Sequence, residues 1–560
     1  MDSCLTQGIE VSIPVWRKYS RAPTMPGYKD VTSLTPIINE FLSVLPDSEG
    51  QLNSDHLFGK VREFNGSGEC LIETVSKKVV KGFCKVTHLL DPIHTLKHYY
   101  KGEKGATRSV EKINNPMNQA YVDTLANYLL GQLRERGISP HFCLFYGGFK
   151  AVADTYRFNI TDEYGSFRRY KDFWNRKRAG EFALYVERDD DEDVESELFK
   201  TPQSSLRSTA FSCSSESSDS SSSSGSVESV ESLESLESLQ GPEGIHNLDA
   251  QVISTKESKN VELESVHSFE TGSSHSSDSS DDSSDNIYSV YSQFANYPVM
   301  MIFQERMEGV IDDMLDDASM VGAEHGSAEW EARWTAWTFQ IIAALSAAQG
   351  VLGFTHNDLH TNNIVWITTE ESWLFYKNRA GTVWRVPTYG RIFKIIDFGR
   401  SIFRVKNKWF VSDDYNYGGD AEGQYNFACA KNGRSKTIYP NPSFDLCRYA
   451  VSVMDALYPE MPTEKLDGVI LSKEGSWTIH ETESPLWNLL WKWLLDKNGR
   501  NVLREEDGTE RFPDFDLYNH ITENVFNAKP QEYIDDMAFS SFKVEAASVG
   551  EWETVYPLFC

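Results

Sequence analysis

One stretch in the middle of this chain cannot help to build a core, and any fold must be assembled around it. From Glu187 to Asp285 there are 24 acidic and 5 basic side chains, and a short repeat, VESVESLESLESLQ. About thirty serines complete the bias. Like-charge repulsion and low hydrophobicity leave too little apolar burial to offset the entropy of ordering, so residues 187–286 are expected to be disordered. The leucines at every third position support a transient helix at most. Many serines precede acids by one to three positions, so the segment is expected to be a phosphorylation target. The folded part must therefore come from the two flanks, which have to meet across this insert.

The flanks are large enough to do so. The chain has 560 residues, 40% of them hydrophobic and 12% aromatic. The insert carries −19 of the formal −29, leaving −10 elsewhere. That balance argues against a general partner for nucleic acid or anionic membrane. No run of about 18 apolar residues is evident, so no membrane span is expected. The first twenty residues lack an apolar core flanked by basic residues, and no signal peptide is expected. The eight cysteines, Cys4, Cys70, Cys84, Cys143, Cys213, Cys429, Cys447 and Cys560, form no C-x-x-C pair. Reduced thiols in an intracellular compartment are the simplest expectation.

The flank before the insert reads mostly as strands. LFGKVREF, CLIETVSKKVV and GFCKVTHLL are separated by turn residues, Gly66 and Gly68 among them, and suggest antiparallel hairpins. NNPMNQAYVDTLANYLLGQLRERG opens on Asn and Pro, repeats apolar residues at helical spacing and closes on Gly137, which predicts a helix. HFCLFYGGF predicts another strand. The basic-aromatic run FRRYKDFWNRKR reads as a solvated loop or helix, with a docking surface as the alternative. After the insert, VMMIF predicts a short strand and residues 328–352 a buried helix. Helices then dominate, with PSFDLCRYAVSVMDAL and SPLWNLLWKWLLD. Strands first and helices second predict an α+β chain.

Directly behind the buried helix stands HNDLHTNN, residues 356–363, and further on IIDFG ends an apolar strand at Gly399. Asp358, Asn363 and Asp397 thus sit on loops after buried elements. Two acids and an amide in that setting suit Mg²⁺, a hard cation that takes oxygen ligands and leaves much of its shell to phosphates. The remaining acid is then free to accept a proton from a hydroxyl.

Taken together, H-x-D-L-x-x-x-N followed by Asp-Phe-Gly resembles the protein kinase superfamily. The resemblance covers about 55–150 and 290–530. It implies Asp358 as catalytic base, Asn363 and Asp397 as Mg²⁺ ligands, and His356 and Asp445 as supports of the loop. Lys85, in the strand GFCKVTHLL, matches the lysine that orients the ATP phosphates. Flanked by Cys84 and Val86, it should be half-buried and need an acidic or phosphate partner. Asp123 is the helix acid expected to pair with it, although helical spacing puts it off the centre of the apolar face. Gly66 and Gly68 match two glycines of the phosphate-covering loop, with Leu71 at the place of the third. Gln304 to Met307 resemble the hinge, where Glu305 and Met307 would hold adenine.

The sequence also departs from the pattern. Asn357 replaces the arginine that normally meets an activation-loop phosphate, which implies activity without that phosphate. His360 stands where serine/threonine kinases carry lysine. No A-P-E follows, and Asp397 stands 34 positions after Asn363, which implies an extra hairpin. These features resemble the divergent serine/threonine kinases of large DNA viruses, and imply a location in the host cytoplasm or the virion. The expected fold is a bilobal α+β kinase-like one. Its parts are an N-terminal extension (1–50), a sheet-rich N-lobe (51–186), the insert (187–286), a strand and hinge (287–307), a helical C-lobe (308–540) and a tail (541–560). The expected activity is transfer from ATP to a protein hydroxyl, with the insert a candidate target in cis. A small-molecule phosphotransferase on the same fold and a pseudokinase scaffold are the rival expectations.

Overall fold

The computed structural model describes residues 24–33, 35–43, 58–65, 68–74, 76–188, 288–416, 418–425, 440–474, 477–513, 515–550 and 552–559. The acidic insert and Gly66 therefore lie outside the described residues, apart from the insert's first two positions. The chain is α+β. Its first half is a seven-stranded antiparallel sheet made of β1 (Tyr28–Thr32), β2 (Phe58–Phe64), β3 (Glu69–Thr74), β4 (Val79–His88), β5 (Phe145–Asn159), β6 (Ala183–Arg188) and β7 (Tyr288–Glu305). The order across the sheet is β1-β5-β7-β4-β3-β2, with β6 also paired to β7.

Strand β7 explains why VMMIF reads as an unbroken apolar run. Val299 to Phe303 are all fully buried, and side chains alternate between the two faces of a strand. Met300 and Ile302 enter a core with helix Gln119–Glu135. Val299, Met301 and Phe303 enter a second core on the other face. The same alternation in β4 sends Cys84 into the second core and turns Lys85 towards the helix.

The basic-aromatic run is helical over most of its length, and it is less solvated than expected. Lys171–Arg178 is a helix whose Phe173 and Trp174 belong to the second core. Arg176 is 7% exposed, with its guanidinium bonded to the carbonyls of Thr95 and Leu96. A buried guanidinium needs such acceptors, and here the last carbonyls of the short helix Pro92–Leu96 provide them, together with the Glu181 carboxylate at 2.8 Å. Within the expected N-terminal extension, the described residues 24–33 and 35–43 are likewise part of the fold. Strand β1 pairs with β5, and helix Pro36–Ser43 sets Ile37, Ile38 and Phe41 into the first core.

Helix Ala328–Leu352 runs through the first core, capped by Ser327 on the Trp330 N–H and ended by Gly353 in the left-handed region. That ending needs no Cβ to be accommodated, which is why glycine serves there. By length and composition alone this is the one described helix able to cross a bilayer. Yet 89% of that apolar window is buried inside the molecule. The extra hairpin between Asn363 and Asp397 pairs Trp373–Lys377 with Val383–Pro387. Two strands from the C-terminal end flank it, Lys543–Val544 and Val555–Pro557. The strands Lys543–Val544 and Val555–Pro557 are thus part of the fold rather than of a tail. Leu558 donates its N–H to the Lys377 carbonyl at 2.8 Å and is 2% exposed.

Candidate functional site

The site forms where β4, helix Gln119–Glu135 and two loops converge. Lys85 Nζ lies 2.8 Å from Asp123 Oδ2 and 2.8 Å from Asp397 Oδ1. The Asp123 side chain is only 2% exposed. Its other oxygen accepts from the Phe398 N–H at 2.9 Å and the Asn127 amide at 2.8 Å. Burial pushes the Asp123 carboxyl up, against the pull of the Lys85 ammonium. Burial acts upward on Asp397 as well, but there Lys85 outweighs it and the net shift is down. Lys85 itself is pushed up: burial opposes its charge, and the two carboxylates overcome that. An ammonium between two acids is the arrangement that permits a lysine to be mostly enclosed.

Asp397 has a left-handed φ of 63°. The next residue, Phe398, is 2% exposed and packs edge-on against Phe354 and His356. Gly399 faces the side chain of Gln119, which a Cβ would meet at 3.1 Å. One cleft is lined by Lys85, Asp123, Asp358, Asn363 and Asp397, with Arg400 and Gln119 beside them.

The loop that carries Asp358 is held from beneath. Asp445, fully buried at the start of helix Phe444–Leu457, accepts the N–H of His356 and of Asn357 at 2.9 Å each. His356 accepts from the Asp358 N–H through Nδ1 at 3.3 Å and meets the Ile396 carbonyl through Nε2 at 2.8 Å. Those partners place its proton on Nε2. Asn357 has a φ of 65°, a conformation asparagine tolerates better than most residues. Its amide donates to the Arg400 carbonyl at 3.0 Å and accepts from the Tyr425 hydroxyl at 2.6 Å. A neutral amide thus joins the loop to the segment after Asp-Phe-Gly.

Asp358 has both oxygens engaged. Tyr518 donates its hydroxyl to Oδ1 at 2.7 Å, and Arg400 Nη1 lies 3.3 Å from Oδ2. Burial acts to raise this carboxyl, but Arg400, then His360, Arg448 and the Tyr518 hydrogen bond, hold it down at about 2. Arg400 also pairs with Asp414 at 3.0 Å. Asn363 donates its amide to the Asp358 carbonyl at 2.9 Å and toward His360 Nε2 at 3.1 Å. With the nitrogen so used, the groups left for a cation are the Asn363 amide oxygen and the Asp397 carboxylate. That all-oxygen set fits a hard divalent ion. Among the described residues no three His, Cys, Asp or Glu side chains cluster to hold a metal by themselves.

The structure does not bring every expected residue into this cleft. Gly68 sits in the β2–β3 turn with a φ of +89°, where a Cβ would meet the Cys84 carbonyl at 2.9 Å. Its carbonyl accepts from the Cys84 N–H, next to Lys85, at 2.7 Å. Glu305 ends β7, where its carboxylate accepts from the Leu144 N–H and pairs with the buried Lys394. Its side chain therefore serves the fold. Met307 follows in the half-buried segment that leaves the sheet. Arg400, Tyr518 and Arg448 are additions that sequence reasoning missed. Arg400 directly follows Asp-Phe-Gly and was in plain view, whereas Tyr518 lies 160 residues from Asp358 with no motif to mark it.

No protein-family model matches the chain, and no curated protein matches it.

Proposed function

We propose that the chain is an ATP-dependent protein kinase of the serine/threonine type, with a bilobal arrangement in which the β1–β7 sheet is the N-lobe and the helical half the C-lobe. The observation that carries the reading is the meeting of Lys85, Asp123 and Asp397 at 2.8 Å contacts, beside Asp358 and Asn363 in one cleft. These residues come from four separate parts of the sequence, and the fold brings them to one place. A structural ion pair alone does not require an amide and a second acid on the neighbouring loop.

In this reading Lys85, held by Asp123, orients the ATP phosphates. The backbone of Glu305 and Met307 holds adenine, and Gly68 keeps the covering turn tight. Asp397 and Asn363 would hold Mg²⁺, which when bound neutralises phosphate charge. Asp358, kept ionised across the neutral range, accepts the hydrogen bond of the incoming hydroxyl, orients it and takes its proton as transfer proceeds. Catalysis is positioning and charge neutralisation. Asn357, in place of an arginine, supports activity that needs no phosphate on the following segment, because amide and hydroxyl bonds already join it to the loop.

Calorimetric titration with MgATP tests the nucleotide half of this reading. The wild type is expected to bind, and Lys85→Met and Asp397→Asn to bind at least tenfold more weakly. A wild type that binds no nucleotide overturns it.

A further inference from the structure

Asp358 is gripped from outside its own loop, and the second grip comes from a helix far along the chain. Tyr518, in helix Asp516–Asn524, is 5% exposed. Its ring stacks on Phe515 at 5.1 Å and leans on Phe444 at 5.8 Å. Arg448 donates Nε–H to the Tyr518 oxygen at 2.9 Å, and its guanidinium lies over the same ring. The hydroxyl then donates onward to Asp358 Oδ1 at 2.7 Å.

Two roles are open to a hydroxyl in that place. It can occupy the seat of the substrate hydroxyl and have to leave, or it can brace the carboxylate and stay. The surroundings favour the brace. The ring is enclosed and the oxygen is tied on both sides, so departure would abandon two hydrogen bonds and the aromatic packing. A carboxylate also offers about four acceptor positions, of which Tyr518 and Arg400 take one each. Room remains for an incoming hydroxyl without displacing either. The chain of donors from Arg448 through Tyr518 to Asp358 polarises each link and strengthens the last.

The geometry points to Tyr518 as a positioning residue for Asp358, fixing the orientation of the carboxylate through a hydrogen-bond chain anchored on Arg448. This rests on the proposed kinase reading, in which Asp358 receives the substrate proton. No motif around Tyr518 announces the role. The brace comes from a helix outside the loop motifs, next to a chain that lacks A-P-E.

Steady-state transfer from MgATP to a protein substrate by the full chain, wild type beside Tyr518→Phe, tests it. The variant keeps the ring and loses the donor. The expected result is a kcat roughly ten- to a hundredfold lower, the worth of a hydrogen bond to a charged group, with KM for ATP unchanged. A general structural defect would move both. A low-field hydroxyl proton resonance in tyrosine-labelled wild type, lost in Tyr518→Phe and moved upfield in Asp358→Asn, is expected alongside. Should Tyr518→Phe fail to fold, Arg448→Met removes the anchor instead, and a lower kcat at constant KM is again expected. Unchanged kcat in a folded variant overturns the brace and leaves the kinase reading intact. Increased kcat also overturns it, since it identifies Tyr518 as a plug. A wild type that transfers no phosphoryl group is a failure of the kinase reading and removes this proposal with it.

Discussion

In the proposed reading Lys85 serves stability and chemistry at once. Its ammonium is what makes Asp123 tolerable at 2% exposure. Lys85→Met should therefore do more than weaken nucleotide binding. It leaves a buried carboxyl without its counter-ion, and denaturant unfolding should show a loss of about 3–5 kcal/mol. Lys85→Met with Asp123→Leu should recover much of that stability and none of the nucleotide affinity. The residues of the two loop motifs were legible in the sequence because each motif is contiguous and carries its chemistry within a few positions. Asp123 was ambiguous for a definite reason. Helix Gln119–Glu135 is buried on nearly every side from Ala120 to Leu133, so a polar residue off the centre of its apolar face still faces the interior. Tyr518 and Arg448 were not legible, because a hydrogen bond across 160 residues leaves no periodicity.

At the scale of elements, the helix that presents Asp123 is fastened at its start by the segment that follows Asp-Phe-Gly. Asp413 accepts from the Gln119 N–H at 3.0 Å and the Asn115 amide at 2.9 Å, and pairs with Lys112 at 2.8 Å. A carboxylate at a helix N-terminus satisfies free N–H groups and complements the dipole. Here it also couples two elements that must both be in place for Lys85 to be oriented. Asp413→Ala should cost about 1–2 kcal/mol by thermal unfolding. Faster hydrogen exchange confined to the first turn of that helix, together with a higher KM for ATP, should accompany it. The element pattern read from sequence missed β1 for a related reason. YKDVT is short and polar, and only its pairing with β5 makes it a strand.

For the molecule as a whole, the seven-stranded sheet lies between two cores, and residues near the C-terminal end join the first of them. Phe539, Phe542 and Leu558 all join the first core. A tail was expected from residue 541 onward because its apolar residues are few and follow no period. Buried histidine makes the fold acid-sensitive. His141 is 1% exposed, with one ring nitrogen on the Phe393 carbonyl at 2.8 Å and the other on the Tyr376 hydroxyl at 2.7 Å. Burial pushes it down to about 3. Unfolding frees it to bind a proton below its ordinary value of 6.5. The unfolded state therefore gains protons first, and stability falls as pH drops from there towards 3. At pH 5 the loss is about 2 kcal/mol. Urea unfolding at pH 7 and pH 5 should show it, with a smaller difference in His141→Gln.

The central claim is that this cleft transfers phosphate to a protein hydroxyl, with Asp358 receiving the proton. Its most direct test is label transfer from MgATP to the protein itself and to a mixed protein substrate, wild type beside Asp358→Asn, followed by phosphoamino-acid analysis. The account predicts phosphoserine or phosphothreonine in the wild type and a loss of at least a hundredfold in the variant. Absence of protein label from a nucleotide-binding wild type, or equal label from both proteins, would contradict it.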